Sequence, residues 1–295
     1  MQFPGIIPAA ITPFTADDHV DVAALHTNLE ALLGAGIGGL VATGTMGEAG
    51  QLSDAERRTV VETVVAAAAA DGAIPVIAGV SAGSTAAACR NAAAAREAGA
   101  AAVMCLPPLN YRGTTREFIA FYAAVAHEGL PIMAYNNPEA GGIDLTPATI
   151  ADIAAAVDGV VAVKECSGDA RRIAALVDDT DLEVLVGGDD WALEGFAAGA
   201  TGWVSGVANV APVECVALQA LVDAGRLAEA RAVYARLLPL ARLDMTPKLV
   251  QHFKGAMDAI GLRGGPTRPP RLPLDEAERE VLHAAVAALR APVSA

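Results

Sequence analysis

Lysine is nearly missing from this chain. Of its 20 lysines and arginines only three are lysines, Lys164, Lys248 and Lys254, so arginine is the default cation. Cysteine is also sparse. Cys89, Cys105, Cys166 and Cys215 stand singly with no CxxC pair, which excludes a disulfide framework and makes them reduced, mostly buried small residues. His19, His26, His127, His252 and His283 are equally scattered, so no cluster has metal-ligand spacing, and neither a metal nor a cofactor is expected. No apolar run approaches the ~20 residues that cross a bilayer. The start of the chain lacks a basic stretch followed by a long apolar one. A cytoplasmic protein with no membrane partner is therefore expected. The formal net charge of −14 offers no clustered basic surface for a phosphate backbone, which excludes a nucleic-acid partner.

What the chain does have is apolar length. With 54% hydrophobic residues among 295, it can bury a large core as one big domain or two ordinary ones. Short apolar runs alternate with alanine-rich amphipathic stretches, at the spacing of repeated βα units. The runs are "GIIPAAITPF" (5–14), "IGGLVATG" (37–44), "IPVIAGV" (74–80), "AAVMCLPP" (101–108), "PIMAYNN" (131–137), "VVAVKE" (160–165), "LEVLVGG" (182–188) and "GWVSGVAN" (202–209). These eight runs are continuous rather than alternating, which is the pattern of parallel strands buried on both faces. They predict an α/β fold, a (β/α)8 TIM barrel. A doubly wound open sheet competes, but the first run carries no GxGxxG turn.

Helix starts support the alternation. Ser53 and Glu56 have capping-box spacing ahead of an amphipathic stretch, and Pro147 stands at a first helical position in "TPATIADIAAA". After residue 225 the strand pattern stops. Three helical segments follow, 226–244, 247–261 and 275–291, with a Gly/Pro/Arg-rich loop at 261–273. The division predicted is a catalytic barrel over 1–225 and a C-terminal three-helix extension over 226–295.

Barrel sites form at the C-terminal ends of the strands. There the runs end in "TGTMGE" (43–48), "YNNP" (135–138), "VKE" (163–165), "GGDD" (187–190) and "SGVAN" (205–209). Lys164 follows an apolar strand, where desolvation favours a neutral amine able to form an imine with a carbonyl substrate. A strand-end lysine can also lay its stem on the core and reach water. Tyr135 beside it would shuttle protons and Thr45 would orient the phenol. Each also has a plainer reading: Tyr135 as a rim residue, Thr45 as part of a turn, Glu48 as a charge at a helix start, and Asp189 and Asp190 as caps of the helix before "WALEGF".

Taken together, "ITPF", "GTMGE", "YNNP" and "VVAVKE" resemble the motifs of the dihydrodipicolinate synthase/N-acetylneuraminate lyase family of Schiff-base aldolases, over essentially the full chain. The resemblance implies that Lys164 forms the imine, that Tyr135 is the proton shuttle and that Thr45 is its hydrogen-bonding partner. It also implies that the substrate's 2-carboxylate lies on the loop of Thr45, Met46 and Gly47, with Ala9, Val204 and Ser205 at the pocket. A homotetramer built as a dimer of dimers is implied as well, and the apolar segment 226–261 suggests surface for assembly.

Two departures bear on the reaction. Leu109 stands where the synthases have a relay tyrosine, with Tyr111 two residues further along, and Ala140 stands where they have an arginine that grips a second carboxylate. Met46 replaces a threonine. The stretches "MAYNNPEAGGIDLTP", "GWVSGVANVAP", "LLPLARLDMTPKLVQHFKGAM" and "RPPRLPL" resemble the branch that acts on 1-pyrroline-4-hydroxy-2-carboxylate. The implied reaction is dehydration and deamination to 2,5-dioxopentanoate and ammonia. Alternatives are 4-hydroxy-tetrahydrodipicolinate (dihydrodipicolinate) synthase, an aldolase or dehydratase for 2-oxo-3-deoxy sugar acids, and a catalytically silent barrel. Retention of Lys164, Tyr135 and Thr45 disfavours the last.

Overall fold

The computed structural model describes residues 2–290 apart from positions 4, 71 and 73. Eight parallel strands, β1 (Gly5–Pro8), β2 (Leu40–Ala42), β3 (Val76–Gly79), β4 (Ala102–Cys105), β5 (Ile132–Asn136), β6 (Val160–Glu165), β7 (Glu183–Val186) and β8 (Gly202–Ser205), form one sheet in the order β1-β8-β7-β6-β5-β4-β3-β2. A parallel bridge from Ala9 to Val41, with the Ala10 N–H on the Val41 carbonyl at 2.9 Å, brings β1 against β2. This is the (β/α)8 TIM barrel. Nearly every strand residue is buried, as continuous apolar runs require when helices cover the outer face.

The strands are shorter than the apolar runs that announced them. Run 5–14 supplies only four strand residues, and 37–44 only three. The chain must leave the sheet to reach the next helix, so the C-terminal part of each run becomes the barrel mouth instead.

Helix Asp54–Ala70 begins at the expected capping box. Glu56 Oε2 accepts from the Ser53 N–H at 2.9 Å, and the Glu56 N–H reaches Ser53 Oγ at 3.3 Å. Pro147 opens helix Pro147–Ala156, capped by Thr146. Asp189 and Asp190 do not cap the helix after β7. The Asp189 carboxylate, fully buried, instead accepts from Trp203 Nε1 at 2.9 Å, the Gly206 N–H at 3.2 Å and the Val207 N–H at 2.7 Å, so it holds the loop that follows β8.

The three C-terminal helices are Leu227–Ala241, Leu249–Ala259 and Glu276–Leu289, and residue 291 of the predicted third segment lies outside the described residues. The expected segment 226–244 tightens at its end into a 3-10 turn, Arg242–Met245. These helices do not leave a broad apolar face open. Tyr234, Leu237, Leu240, Phe253 and Met257 are buried within the chain, and of the segment's large apolar residues only Leu227 and Met245 are exposed. The exposed surface expected for assembly is therefore absent from 226–261.

An ion pair ties this part to the barrel. Lys254 Nζ lies 2.6 Å from Glu48 Oε1, both side chains almost fully buried, and also donates to the Pro266 carbonyl at 2.7 Å. Glu48 is thus a structural counter-ion rather than a helix-start charge. Among the described residues no helix is long and apolar enough to cross a membrane.

Candidate active site

The three lysines have different partners. Lys248 Nζ contacts Glu278 at 2.6 Å, and Lys254 is locked to Glu48. Among the described residues Lys164 has no carboxylate at contact distance. Strand pleating turns it inward with Ala162, and it sits in register beside Tyr135 of β5. Its Nζ donates to Tyr135 Oη at 3.3 Å and stands 4.3 Å from the ring centroid.

The phenol oxygen has a second donor. Asn137 Nδ2 reaches it at 2.9 Å, while Asn137 Oδ1 accepts from the Ala140 N–H at 2.9 Å as the cap of the short helix Pro138–Gly141. Among the described residues no hydrogen bond joins Thr45 to Tyr135, and Asn137 contacts the phenol oxygen instead. The signal was in the sequence, since asparagine before a proline is a common helix cap. That its amide would also reach the phenol depends on how the turn folds back.

Electrostatics reverse one expectation. Burial alone would lower the Lys164 amine, but negative charge on Tyr135, Cys166 and Asp244 outweighs it and raises the ammonium above the ordinary lysine range. Burial, joined by the Cys166 charge, pushes the Tyr135 phenol up to about 12 despite Lys164 and Asn137. Burial likewise carries the Cys166 thiol to about 12. Both groups hold their protons near neutrality, so their part in raising Lys164 is felt at alkaline pH. Asp244 itself is raised to about 6, chiefly by burial, with Lys164 and the Asp189 N–H pulling it down and Asp190 pushing it up. Asp244 is half-buried, and it lines the cavity beside Lys164.

That cavity, about 220 Å³, is lined by Lys164, Tyr135, Thr45, Met46, Ala9 and Val204 among others, so six of the eight residues expected at the site share one space. Gly47 and Ser205 do not line it. Gly47 packs in the wall, where a Cβ would stand 3.0 Å from the Ala10 carbonyl, and Ser205 Oγ is buried and accepts from the Ala208 N–H at 3.0 Å. Ala140 is at the cavity, while Leu109 lines a neighbouring one. Tyr111 is exposed and donates to Glu117 at 2.7 Å, away from Tyr135. The far wall comes from Asp244, Met245, Thr246, Pro247 and Leu249, which sequence reasoning did not place at the site. No signal in a helical appendage says which of its turns will cover the barrel mouth.

The Dihydrodipicolinate synthetase family model matches residues 2–289. The chain belongs to that family. The 4-hydroxy-tetrahydrodipicolinate synthase of Methanothrix thermoacetophila is 36% identical over 280 residues, covering 93% of each chain, and that of Hyphomonas neptunium is 37% identical over 294 residues, covering 97% of this chain and 98% of the other. Among solved structures, a putative dihydrodipicolinate synthetase from Pseudomonas aeruginosa superposes with a TM-score of 0.92 at 35% identity, covering 98% of this chain and all of that one. The dihydrodipicolinate synthase of Thermotoga maritima superposes with a TM-score of 0.93 at 29% identity, covering 98% and 99%. As a dihydrodipicolinate synthetase family member the chain is a class I aldolase-superfamily enzyme, a lyase working through a lysine Schiff base.

Proposed function

We propose that Lys164 forms the Schiff base and that the substrate is a small 2-oxo acid or cyclic imino acid with a single carboxylate, best matched by 1-pyrroline-4-hydroxy-2-carboxylate. One observation carries this reading: among the described residues Lys164 is the only cationic side chain lining the cavity, and Ala140 presents only a methyl group at its mouth. A second substrate carboxylate in this cavity would meet Glu139 and Asp244, while Arg57 and Arg271 line the adjoining one that shares Thr45, Tyr135 and Ala140. The first carboxylate has a receptor. The N–H groups of Thr45 and Met46, both at the cavity, donate to nothing among the described residues, and successive free amides in a turn can form an anion-binding concavity.

The residues fit the steps. The Lys164 ammonium gives its proton to the ring nitrogen, and the free amine then adds to C2 of the resulting iminium. Expulsion of the ring nitrogen from C2 opens the ring, leaving a lysine imine at C2 and a free amine on C5. Tyr135, 3.3 Å from Nζ, carries the C3 proton away and returns one to the departing 4-hydroxyl, which leaves as water. Tautomerisation places an imine at C5. One water hydrolyses it and frees ammonia, and a second water releases 2,5-dioxopentanoate from Lys164. The net change is addition of one water and loss of one ammonia.

A second reading, 4-hydroxy-tetrahydrodipicolinate synthase, is favoured by the names of the relatives at 32–37% identity. The test measures ammonia release from hydroxypyrroline carboxylate, coupled to glutamate dehydrogenase, beside condensation of pyruvate with aspartate semialdehyde on one preparation. Ammonia release with slow condensation is expected. Fast condensation without ammonia overturns the deaminase reading and leaves the synthase.

The family resemblance also supports a cytoplasmic homotetramer, a dimer of dimers. Light scattering that finds only particles of the 29.8 kDa chain mass at micromolar concentration would overturn the tetramer.

A further inference from the structure

The far wall of the cavity carries a carboxylate that the reaction above does not use. Asp244 lies in the 3-10 turn Arg242–Met245, part of the helical appendage rather than the barrel, and lines the same cavity as Lys164. Among the described residues it forms no ion pair with Lys164, and the two line one cavity, the space a substrate would fill. One of its oxygens, Oδ2, accepts from the Asp189 N–H at a long 3.4 Å. The other, Oδ1, accepts no hydrogen bond among the described residues.

The surroundings keep that oxygen open. A Cβ at Gly206 would stand 3.4 Å from Asp244 Oδ1 and 2.6 Å from Met46 Cε, so any larger residue there would crowd the carboxylate and the loop opposite. Glycine leaves the approach free. The remaining wall beside Asp244 is Met245, Thr246, Pro247 and Leu249, which offers no cation to neutralise it.

We propose that Asp244 receives a hydrogen-bond donor on the half of the substrate that projects away from Lys164, and so selects hydroxylated one-carboxylate substrates over dicarboxylates. A substrate joined through C2 to Lys164, with its carboxylate on the 45–47 loop, has only its distal carbons left to reach this wall. A hydroxyl there finds a charged acceptor with a free lone pair. A carboxylate there finds a like charge, and no arginine compensates. The proposal rests on the Schiff-base reading of Lys164 and deepens it by naming what the distal half must carry.

Three five-carbon ligands that differ only at C5 test it: 2-oxopentanoate, 5-hydroxy-2-oxopentanoate and 2-oxoglutarate. Borohydride-trapped adducts at Lys164 are titrated by intact mass for the wild type, Asp244→Ala and Asp244→Asn. The readout is the ratio of half-saturation between ligands within one protein. Changes in that ratio cancel both folding differences and any effect on Lys164 itself, and a variant that still traps 2-oxopentanoate is folded. A hydrogen bond to a charged group is worth about tenfold or more in binding, so Asp244→Ala should erase at least about fivefold of the preference for the hydroxylated ligand. It should also improve 2-oxoglutarate relative to 2-oxopentanoate by at least about fivefold. Asp244→Asn should fall between. Ratios that stay within about twofold of wild type overturn the proposal. No adduct on wild-type Lys164 with any ligand overturns the Schiff-base reading and this proposal with it. Shifted ratios in an enzyme that releases no ammonia from hydroxypyrroline carboxylate leave Asp244 as proposed and overturn the deaminase reading alone.

Discussion

Tyr135 and Lys164 are register partners on adjacent parallel strands, and the amine rests 3.3 Å from the phenol oxygen. Strand pairing therefore sets the distance between the imine-forming nitrogen and the proton carrier, and a rigid sheet holds both. Tyr135→Phe keeps the ring beneath the amine and removes only the hydroxyl. Turnover should fall by about 10²- to 10⁴-fold, the usual worth of a general acid-base group. The borohydride adduct at Lys164 should still form, since the amine is untouched. An adduct lost along with turnover would mean that the hydroxyl is needed to form the imine itself.

Lys164→Arg should abolish both the adduct and turnover, because a guanidinium does not deprotonate in a protein and cannot attack C2. Intact-mass spectrometry after borohydride with pyruvate checks this. Lys248 and Lys254 remain in the variant as internal controls, both held by carboxylates. A surviving adduct would move the chemistry away from Lys164.

Asn137→Ala removes the shortest of the three donors on the phenol oxygen, the others being Lys164 and the Cys166 thiol. Asn137 lowers the Tyr135 phenol against burial, so its loss should raise that group further and slow turnover by about 3- to 10-fold, as expected for one neutral hydrogen bond. The alkaline limb of the kcat profile should move up with it. Asn137→Asp keeps the helix cap and changes only the contact with the phenol, which separates the two duties of this residue.

Acidity should reach the far wall before it reaches Tyr135. Asp244 sits near 6, with Lys164 facing it from β6 and Asp189 and Asp190 facing it from the turn after β7, beside Arg242 on its own turn. Its charged form prevails above that value and is lost as pH falls through it. For a hydroxylated one-carboxylate substrate, kcat/KM should therefore decline as pH drops through about 6, and Asp244→Asn should flatten this limb. A limb unchanged in the variant would assign the titration to another group.

Lys254→Met should destabilise the fold without touching the cavity. It strands the buried Glu48 carboxylate and frees the Pro266 carbonyl, and breaking a buried pair from one side costs about 3 to 5 kcal/mol. The urea midpoint should drop accordingly. An unchanged midpoint would mean that Arg271, 3.5 Å from the other Glu48 oxygen, suffices as the counter-ion.

The barrel was legible in the chain because its evidence is local. Continuous apolar runs, a Ser53/Glu56 box and Pro147 each act within a few residues, and eight such units in succession admit few folds. Lys164, Tyr135 and Thr45 were legible for a related reason: in a barrel, strand ends meet at one mouth whatever the helices do. Strand lengths were not, since the same apolar residues serve a strand or the loop beyond it, and only the sheet decides where pairing stops.

The rest belongs to tertiary structure. Asp189 and Glu48 look like ordinary helix-start acids in one dimension, yet burial gives one three donors from β8 and the loop after it and the other Lys254 from 206 positions away. Asn137 displaces Thr45 as the partner of Tyr135 because a four-residue helix turns its amide back onto the strand end. The state of Lys164 shows the difference most sharply. Burial at a strand end, which the sequence displays, favours a neutral amine, whereas Tyr135, Cys166 and Asp244 act on it in the opposite direction, and Asp244 lies 80 positions later on a turn that reaches the mouth only when the appendage packs on the barrel. Charge at a distance depends on where the chain folds back, and no local pattern records that.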